Sequence, residues 1–160
     1  MKKIILSLMF ACLFFSPKSF ANPGDYTLRI LAGPSFNSND WVDQFKFGGE
    51  FNYDLGYSMN IGMLSLFGAG HDKFKFDLIP GFGYNFLYIG PAAFHVLGGV
   101  GYAIYDKDAG MDVRLSSGVS LPLGDFWEAY SDINYIFCPL GTPGTPATFD
   151  WLLGFGFVFK

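Results

Sequence analysis

Gln44-Phe45-Lys46-Phe47-Gly48-Gly49-Glu50-Phe51-Asn52-Tyr53-Asp54-Leu55 is the stretch that decides the fold. One parity carries Phe45, Phe47, Phe51, Tyr53 and Leu55; the other carries Lys46, Gly48, Glu50, Asn52 and Asp54. Successive side chains of a strand point to opposite faces, so the segment has one greasy face and one charged face. The two-residue rhythm recurs along most of the chain. What remains open at this point is which face meets which solvent, because a soluble sandwich, a soluble barrel and a membrane barrel share the alternation.

Working outward, the rhythm marks eight strands: Asp25 to Phe36, Val42 to Tyr57, Asn60 to Gly70, Phe74 to Phe86, Ala93 to Tyr105, Met111 to Pro122, Phe126 to Cys138 and Ala147 to Lys160. The third alternates poorly and its faces cannot be assigned. Turns rich in Gly, Asn and Asp separate the strands, as at Asn37-Ser38-Asn39-Asp40, Asp106-Lys107-Asp108-Ala109-Gly110 and the Pro139 to Pro146 loop. All but the longer second run to about 11 to 14 residues, twice the globular mean of about 5 or 6. With a tilt near 45°, about 12 residues span about 28 Å, the height of a bilayer's apolar band.

Residues 1–21 read as a separate object, a secretory signal peptide. Met1-Lys2-Lys3 is a basic start, Ile4 to Phe15 an apolar run, and Ser19-Phe20-Ala21 a small-residue cleavage site. The mature domain is then expected to span residues 22–160. Cleavage removes Lys2, Lys3 and Lys18, so loss of three positive charges takes the formal charge from −4 to −7. It also removes Cys12 and leaves Cys138 as the lone mature thiol. A disulfide-stapled domain and a Cys/His zinc cluster are thereby excluded, and without a basic run nucleic acid is not an expected partner.

Composition narrows the class further. Charged residues make up 15% of the chain, against about 25% in ordinary globular proteins, while aromatics reach 20%, with 20 Phe. No segment after residue 21 has the 18 consecutive apolar residues of a membrane helix. High hydrophobicity without a helical span leaves a buried β core or a lipid-facing barrel.

Three features turn the rhythm inside out. Gly48, Gly81, Gly83, Gly99, Gly101, Gly118, Gly154 and Gly156 sit on the polar parity. The interior of an eight-stranded barrel is just wide enough for side chains, so the small parity fits inside and Phe and Tyr do not. The polar parity is thinly charged and mixed in sign: Arg29, Lys46, Glu50, Asp54, Lys75, Asp77, Asp112, Arg114, Glu128, Asp132 and Asp150. Such charges can pair in a confined interior. Tyr26, Tyr57, Tyr84, Tyr88, Tyr105, Trp127 and Trp151 fall towards strand ends, where a membrane-interface girdle would lie. The expected fold is all-β: an eight-stranded antiparallel up-and-down transmembrane β-barrel. Its even strand number puts both mature termini on one side, the periplasm.

Trp151-Leu152-Leu153-Gly154-Phe155-Gly156-Phe157-Val158-Phe159 resembles the C-terminal assembly signal of bacterial outer-membrane proteins, with Trp151, Leu153, Phe155, Phe157 and Phe159 on the matching positions. Lys160 follows where that family ends on an aromatic residue. Phe94-His95-Val96-Leu97-Gly98-Gly99-Val100-Gly101-Tyr102 is similar to the Gly-rich strand of small opacity-type and OmpA-like barrels. The resemblance implies a monomeric Gram-negative outer-membrane protein. Its partners would be outer-membrane lipid, lipopolysaccharide and, through the last strand, the barrel-assembly machinery.

The expected function is structural or interactive at the cell surface: envelope integrity, adhesion or attachment through the outer loops, over a packed polar interior. A narrow channel for small or apolar solutes and a lipid-modifying enzyme are the alternatives. For catalysis the candidates are His71-Asp72 with Ser35 or Ser38, a Ser/His/Asp set of residue types. The Ser two residues after His that marks the lipid A deacylases is missing, since Lys73 follows His71 and Leu97 follows His95. His71-Asp72 therefore reads as a polar turn and His95 as a hydrogen-bonded interior residue. Asp106, Asp108 and Asp112 lack the Gly and terminal Glu of a calcium loop and read as a solvated hairpin tip. No catalytic residue, metal ligand or cofactor is expected.

Overall fold

The computed structural model describes residues 23–37, 44–70, 73–105, 108–139 and 147–160. The proposed leader, residues 38–43, His71-Asp72, Asp106 and most of the Pro139–Pro146 loop lie outside the described residues. Eight strands follow one another: β1 Tyr26–Asn37, β2 Gln44–Gly56, β3 Met59–Gly70, β4 Lys73–Ile89, β5 Ala92–Tyr105, β6 Asp108–Pro122, β7 Trp127–Phe137 and β8 Thr148–Phe159. Each pairs antiparallel with its sequence neighbour, and β8 returns to β1, closing the barrel. No sheet edge is left unpaired, as a spanning β structure requires where no water can satisfy the backbone.

The stagger can be read from the registers. From Leu31, one path runs through Gly48, Leu66, Asp77 and Ala103 to Gly110 on β6; the other runs through Gly154 and Tyr130 to Ser120. The ends differ by ten positions of β6. With eight strands about 4.8 Å apart and about 3.3 Å per residue, that stagger tilts the strands by roughly 40°.

The aromatic parity points outward on every strand. Ile30, Phe47, Phe67, Phe82, Val100, Leu115, Ile133 and Phe155, one from each strand, are all exposed, Ile30 at 74% and Phe155 at 63%. A soluble monomer rarely exposes a contiguous apolar patch above a few hundred Å², whereas this surface is apolar all the way round. The faces of β3 are now assigned: Ile61, Met63 and Phe67 outward, Leu64 and Leu66 inward.

At the end holding the chain termini, the hairpin between β2 and β3 turns through Tyr57 and Ser58, both in the left-handed region (φ 54° and 65°). That is the backbone of a two-residue type I′ turn, whose hand matches the twist of the flanking strands. Gly normally takes such positions, since a Cβ there costs roughly 1–2 kcal/mol per residue. Here the Asn85 N–H donates to the Ser58 carbonyl (2.8 Å), and Ser58 Oγ lies 3.2 Å from Tyr88 Oη. β4 accommodates this with a bulge between Asn85 and Leu87 and continues to Ile89, three residues beyond the alternation that ends at Phe86.

Candidate functional site

The inward side chains form three tiers. At the end away from the chain termini, Lys46 Nζ donates to Asp150 Oδ2 (2.7 Å) and to Thr148 Oγ1 (3.3 Å), and lies 3.6 Å from Asp77 Oδ2. Lys75 Nζ donates to Asp112 Oδ2 (2.7 Å) and sits 3.0 Å from Asp77 Oδ1. Tyr105 Oη donates to the same Asp112 oxygen at 3.2 Å. Two lysines thus hold three aspartates in one chain of contacts.

Nearer the termini, Arg29 Nε donates to Glu128 (2.5 Å) and Arg29 Nη1 to Glu50 (2.9 Å). Arg114 uses three nitrogens: Nη1 to Glu50 (2.6 Å), Nη2 to Asp132 (2.8 Å) and Nε to Asn134 Oδ1 (2.6 Å). The Arg29 guanidinium lies 4.0 Å over the Tyr130 ring, which stacks on His95 at 5.1 Å. His95 Nε2 is 3.4 Å from Asp132 Oδ1, in ion-pair range but not aligned as a hydrogen bond. The expected hydrogen-bonded histidine is therefore interior, held by stacking and proximity instead.

Between the two networks lies an apolar tier that the alternation does not announce. Leu31, Leu64, Leu66, Ile79 and Leu152 form it, all at most 1% exposed. On β6 and β7 the networks meet instead, Arg114 following Asp112 and Asn134 pairing with Asp150, and the equally buried Ile136 lies beyond Asn134, beside Thr148. Counting towards the termini end, the order on β4 is Asp77 then Ile79, on β8 Asp150 then Leu152, and on β2 Lys46, Gly48, Glu50. Glycine lets the neighbouring strands' residues fill the centre at such points. A Cβ on inward-facing Gly101 would run into the backbone of Leu78, and one on Gly154 into that of Ile30.

Ten of the eleven charged positions singled out above thus meet an opposite charge across the interior. Asp54 does not: it is buried, accepts the Gly56 N–H at 2.6 Å, and forms no ion pair among the described residues. Among the girdle candidates, Tyr26, Tyr57, Tyr84, Trp127 and Trp151 are exposed. Tyr88 and Tyr105 are corrections. The bulge shifts β4 by one position and turns Tyr88 inward, 8% exposed; Tyr105 shares the inward parity of β5 and closes on Asp112. Asp112 is likewise no part of a solvated tip, being fully buried against Lys75. At the termini end an aromatic rim does form, with Tyr26 stacked on Phe159 and Trp127 edge-on to Phe157. In β8, Phe149, Trp151, Leu153, Phe155 and Phe159 point outward as an unbroken apolar row, while Asp150 and Leu152 point in.

Below the arginine network the interior opens into a cavity of about 370 Å³ at the termini end. Thr27, Asn52, Asp54, Asn60 and Asn85 line one wall; Ala93, His95, Ser120 and Glu128 face them. The arginine network and the apolar tier stand between this cavity and the opposite end of the barrel. Among the described residues no group of His, Cys, Asp and Glu is arranged to hold a metal ion, and Cys138 is a half-buried free thiol. Ser117 reaches His95 only at its backbone oxygen.

No protein-family model and no curated protein matches this chain. Solved structures do. The N-terminal β-barrel domain of Pseudomonas aeruginosa OprF superposes with a TM-score of 0.64 at 13% identity, over 87% of this chain and all of that one. Ail, the attachment invasion locus protein of Yersinia pestis, gives 0.60 at 10% identity, over 86% of this chain and 100% of that one. The outer membrane enzyme PagL gives 0.55 at 11% identity, over 81% and 97%. Identities this low carry the fold alone. The chain has the closed eight-stranded transmembrane barrel fold of bacterial outer-membrane proteins.

Proposed function

We propose that this protein is an integral outer-membrane barrel whose body is a sealed scaffold and whose working surface is its outer turns, with a role in envelope integrity or surface attachment. The observation that carries the reading is the three-tier interior. A solute crossing from the cavity would have to part Arg114 from Glu50 and Asp132, displace five buried aliphatic side chains, and then part Lys46 and Lys75 from three aspartates. Eight-stranded barrels have interiors that side chains fill, unlike the aqueous lumens of larger porins. The attachment protein Ail shares this fold, which is consistent with the reading; OprF and PagL share it too, so the fold does not choose among roles.

In this reading both termini face the periplasm and the outward aromatics of β8 present the strand to the assembly machinery. The surrounding lipid and lipopolysaccharide contact the apolar girdle. Planar-bilayer recording of the refolded protein tests the sealed interior: the expected record has no discrete conductance steps, and stable single-channel steps would replace the scaffold reading with a conduit. A cysteine-reactive, membrane-impermeant label on intact cells tests orientation. A Cys introduced at Asn39 should react and one at Asp125 should not, in a background with Cys138 changed to Ser. The enzyme reading has its own test, an unchanged lipid A mass profile when His71 is replaced by Ala.

A further inference from the structure

We propose that the cavity at the termini end is a binding site for a small amino alcohol, an ammonium and a hydroxyl on a short carbon skeleton. Two amides with an unpartnered atom and one carboxylate without a counter-charge converge on one wall. Asp54 is 7% exposed and, alone among the inward carboxylates singled out above, has no cation within ion-pair range among the described residues. Asn52, 6% exposed, has an Nδ2 without an acceptor, and Asn60 has an Oδ1 without a donor. Asn52 and Asp54 are two apart on β2 and so share the inward face, and Asp54 is the direct cross-strand partner of Asn60. All three line the cavity.

Burying an amide atom without a partner, or a carboxylate without a counter-charge, is costly. Water can satisfy the amides but supplies no counter-charge for Asp54, and the cavity's own cations, Arg29 and Lys160, form no ion pair with it among the described residues. A cation answers Asp54 and the Asn60 oxygen together, and an acceptor oxygen on the same molecule answers Asn52. The space exceeds what a bare ion needs: 370 Å³ lies at the lower end of small-molecule clefts. Tyr88, turned inward by the bulge, is also in the wall and suits an ammonium's carbon skeleton. The Arg29–Glu128 pair does not compete for the cation, because Glu128 is already neutralised by Arg29 at 2.5 Å.

The experiment is a titration of the isotope-labelled, refolded full-length mature protein in micelles, read at the backbone amides of Asn52, Gly56 and Asn60. Ethanolamine should give saturable shifts there. Ethylene glycol and sodium chloride, at matched concentration and ionic strength, should not. Ethylamine, which lacks the hydroxyl, should bind roughly tenfold more weakly, the cost of leaving one donor unpaired. Glycerophosphoethanolamine separates two sources of the same chemistry: shifts with it admit a lipid headgroup, and shifts with ethanolamine alone assign a free solute. Asp54→Asn should lose the ethanolamine response while keeping heat-modifiable migration. If that variant does not fold, Asn52→Leu serves, since it should erase the preference for ethanolamine over ethylamine. Equal responses to ethylene glycol, a retained response in Asp54→Asn, or no saturable shift would each overturn the proposal and leave a hydrated vestibule.

Discussion

Arg114 is the side chain whose loss the structure prices most clearly. Its three donors go to Glu50, Asp132 and Asn134 at 2.6–2.8 Å, and it is 4% exposed. In Arg114→Met the stem volume is kept and the charge removed. Glu50 retains Arg29 at 2.9 Å, but Asp132 is left with His95 at 3.4 Å as its one near cationic group. Breaking a buried pair by deleting one partner costs about 3–5 kcal/mol, because the survivor stays buried without compensation. With a urea slope of about 2 kcal/mol per molar, a loss of about 4 kcal/mol lowers the midpoint by about 2 M. The assay is urea unfolding in lipid vesicles followed by tryptophan fluorescence, at equilibrium in both directions. Arg114→Met/Asp132→Asn should recover a substantial part of the loss, since neither remaining group then carries an unmatched charge. A midpoint shift below about 0.3 M, or a double variant no better than the single one, would refute the pairing argument.

The two ion networks share no side chain, so Lys46→Met and Arg114→Met should destabilise additively within about 0.5 kcal/mol by the same assay; a larger coupling would mean strain passes between them where Asn134 and Asp150 pair on β7 and β8. Gly101→Ala should cost about 1–3 kcal/mol or block assembly, because its Cβ would enter the Leu78 backbone. Gly98→Ala, whose Cβ would meet nothing closer than Leu115 Cδ2 at 4.0 Å, should leave the unfolding midpoint and heat-modifiable migration unchanged. Phe47→Lys puts a charge mid-strand on the lipid face and should cost about 2–4 kcal/mol, whereas Tyr57→Lys, in a turn at the termini end, should barely move the midpoint.

The outward face was legible because it obeys one rule at almost every position: Phe, Tyr, Leu or Val on one parity. Strand number and antiparallel order followed from that parity and the turns between. The interior was legible only in its charges. Leu31, Ile79 and Leu152 stand on the polar parity, and nothing local distinguishes such a residue from a lapse in the alternation. They become a tier only when the ten-residue stagger brings them to one height. Tyr88 was misplaced for a different reason: one residue inserted at a bulge flips every side chain beyond it, and neither Asn85 nor Leu87 signals a bulge. Tyr105 needed no structure, since it shares parity with His95, Gly99 and Gly101. The cavity was not legible at all, because it arises from what small inward side chains such as Thr27, Ala93 and Ser120 leave unfilled together.

The tiers also explain how so narrow a barrel tolerates so many charges. A buried ion pair is seldom a net source of stability against well-packed apolar residues, and the central tier shows that apolar residues can fill this interior. The charges lie on either side of that tier, each network spanning strands distant in sequence: Lys46 joins β2 to β8, Lys75 joins β4 to β6, and Arg114 joins β6 to β2 across the lumen. Neighbouring strands are held by ladder hydrogen bonds already, so contacts of this kind act where the ladder cannot, between opposite walls. Closure itself depends on the pairing of β1 with β8, and Arg29 on β1 reaches Glu128 on β7, past the seam. A register slip of one residue would send Lys46, Glu50 and Arg29 into lipid, at about 2–4 kcal/mol for each basic group at mid-depth. The interior charges therefore specify register and closure more than they add stability, and the same sealing leaves the outer turns and the termini-end cavity as the places where this barrel can meet other molecules.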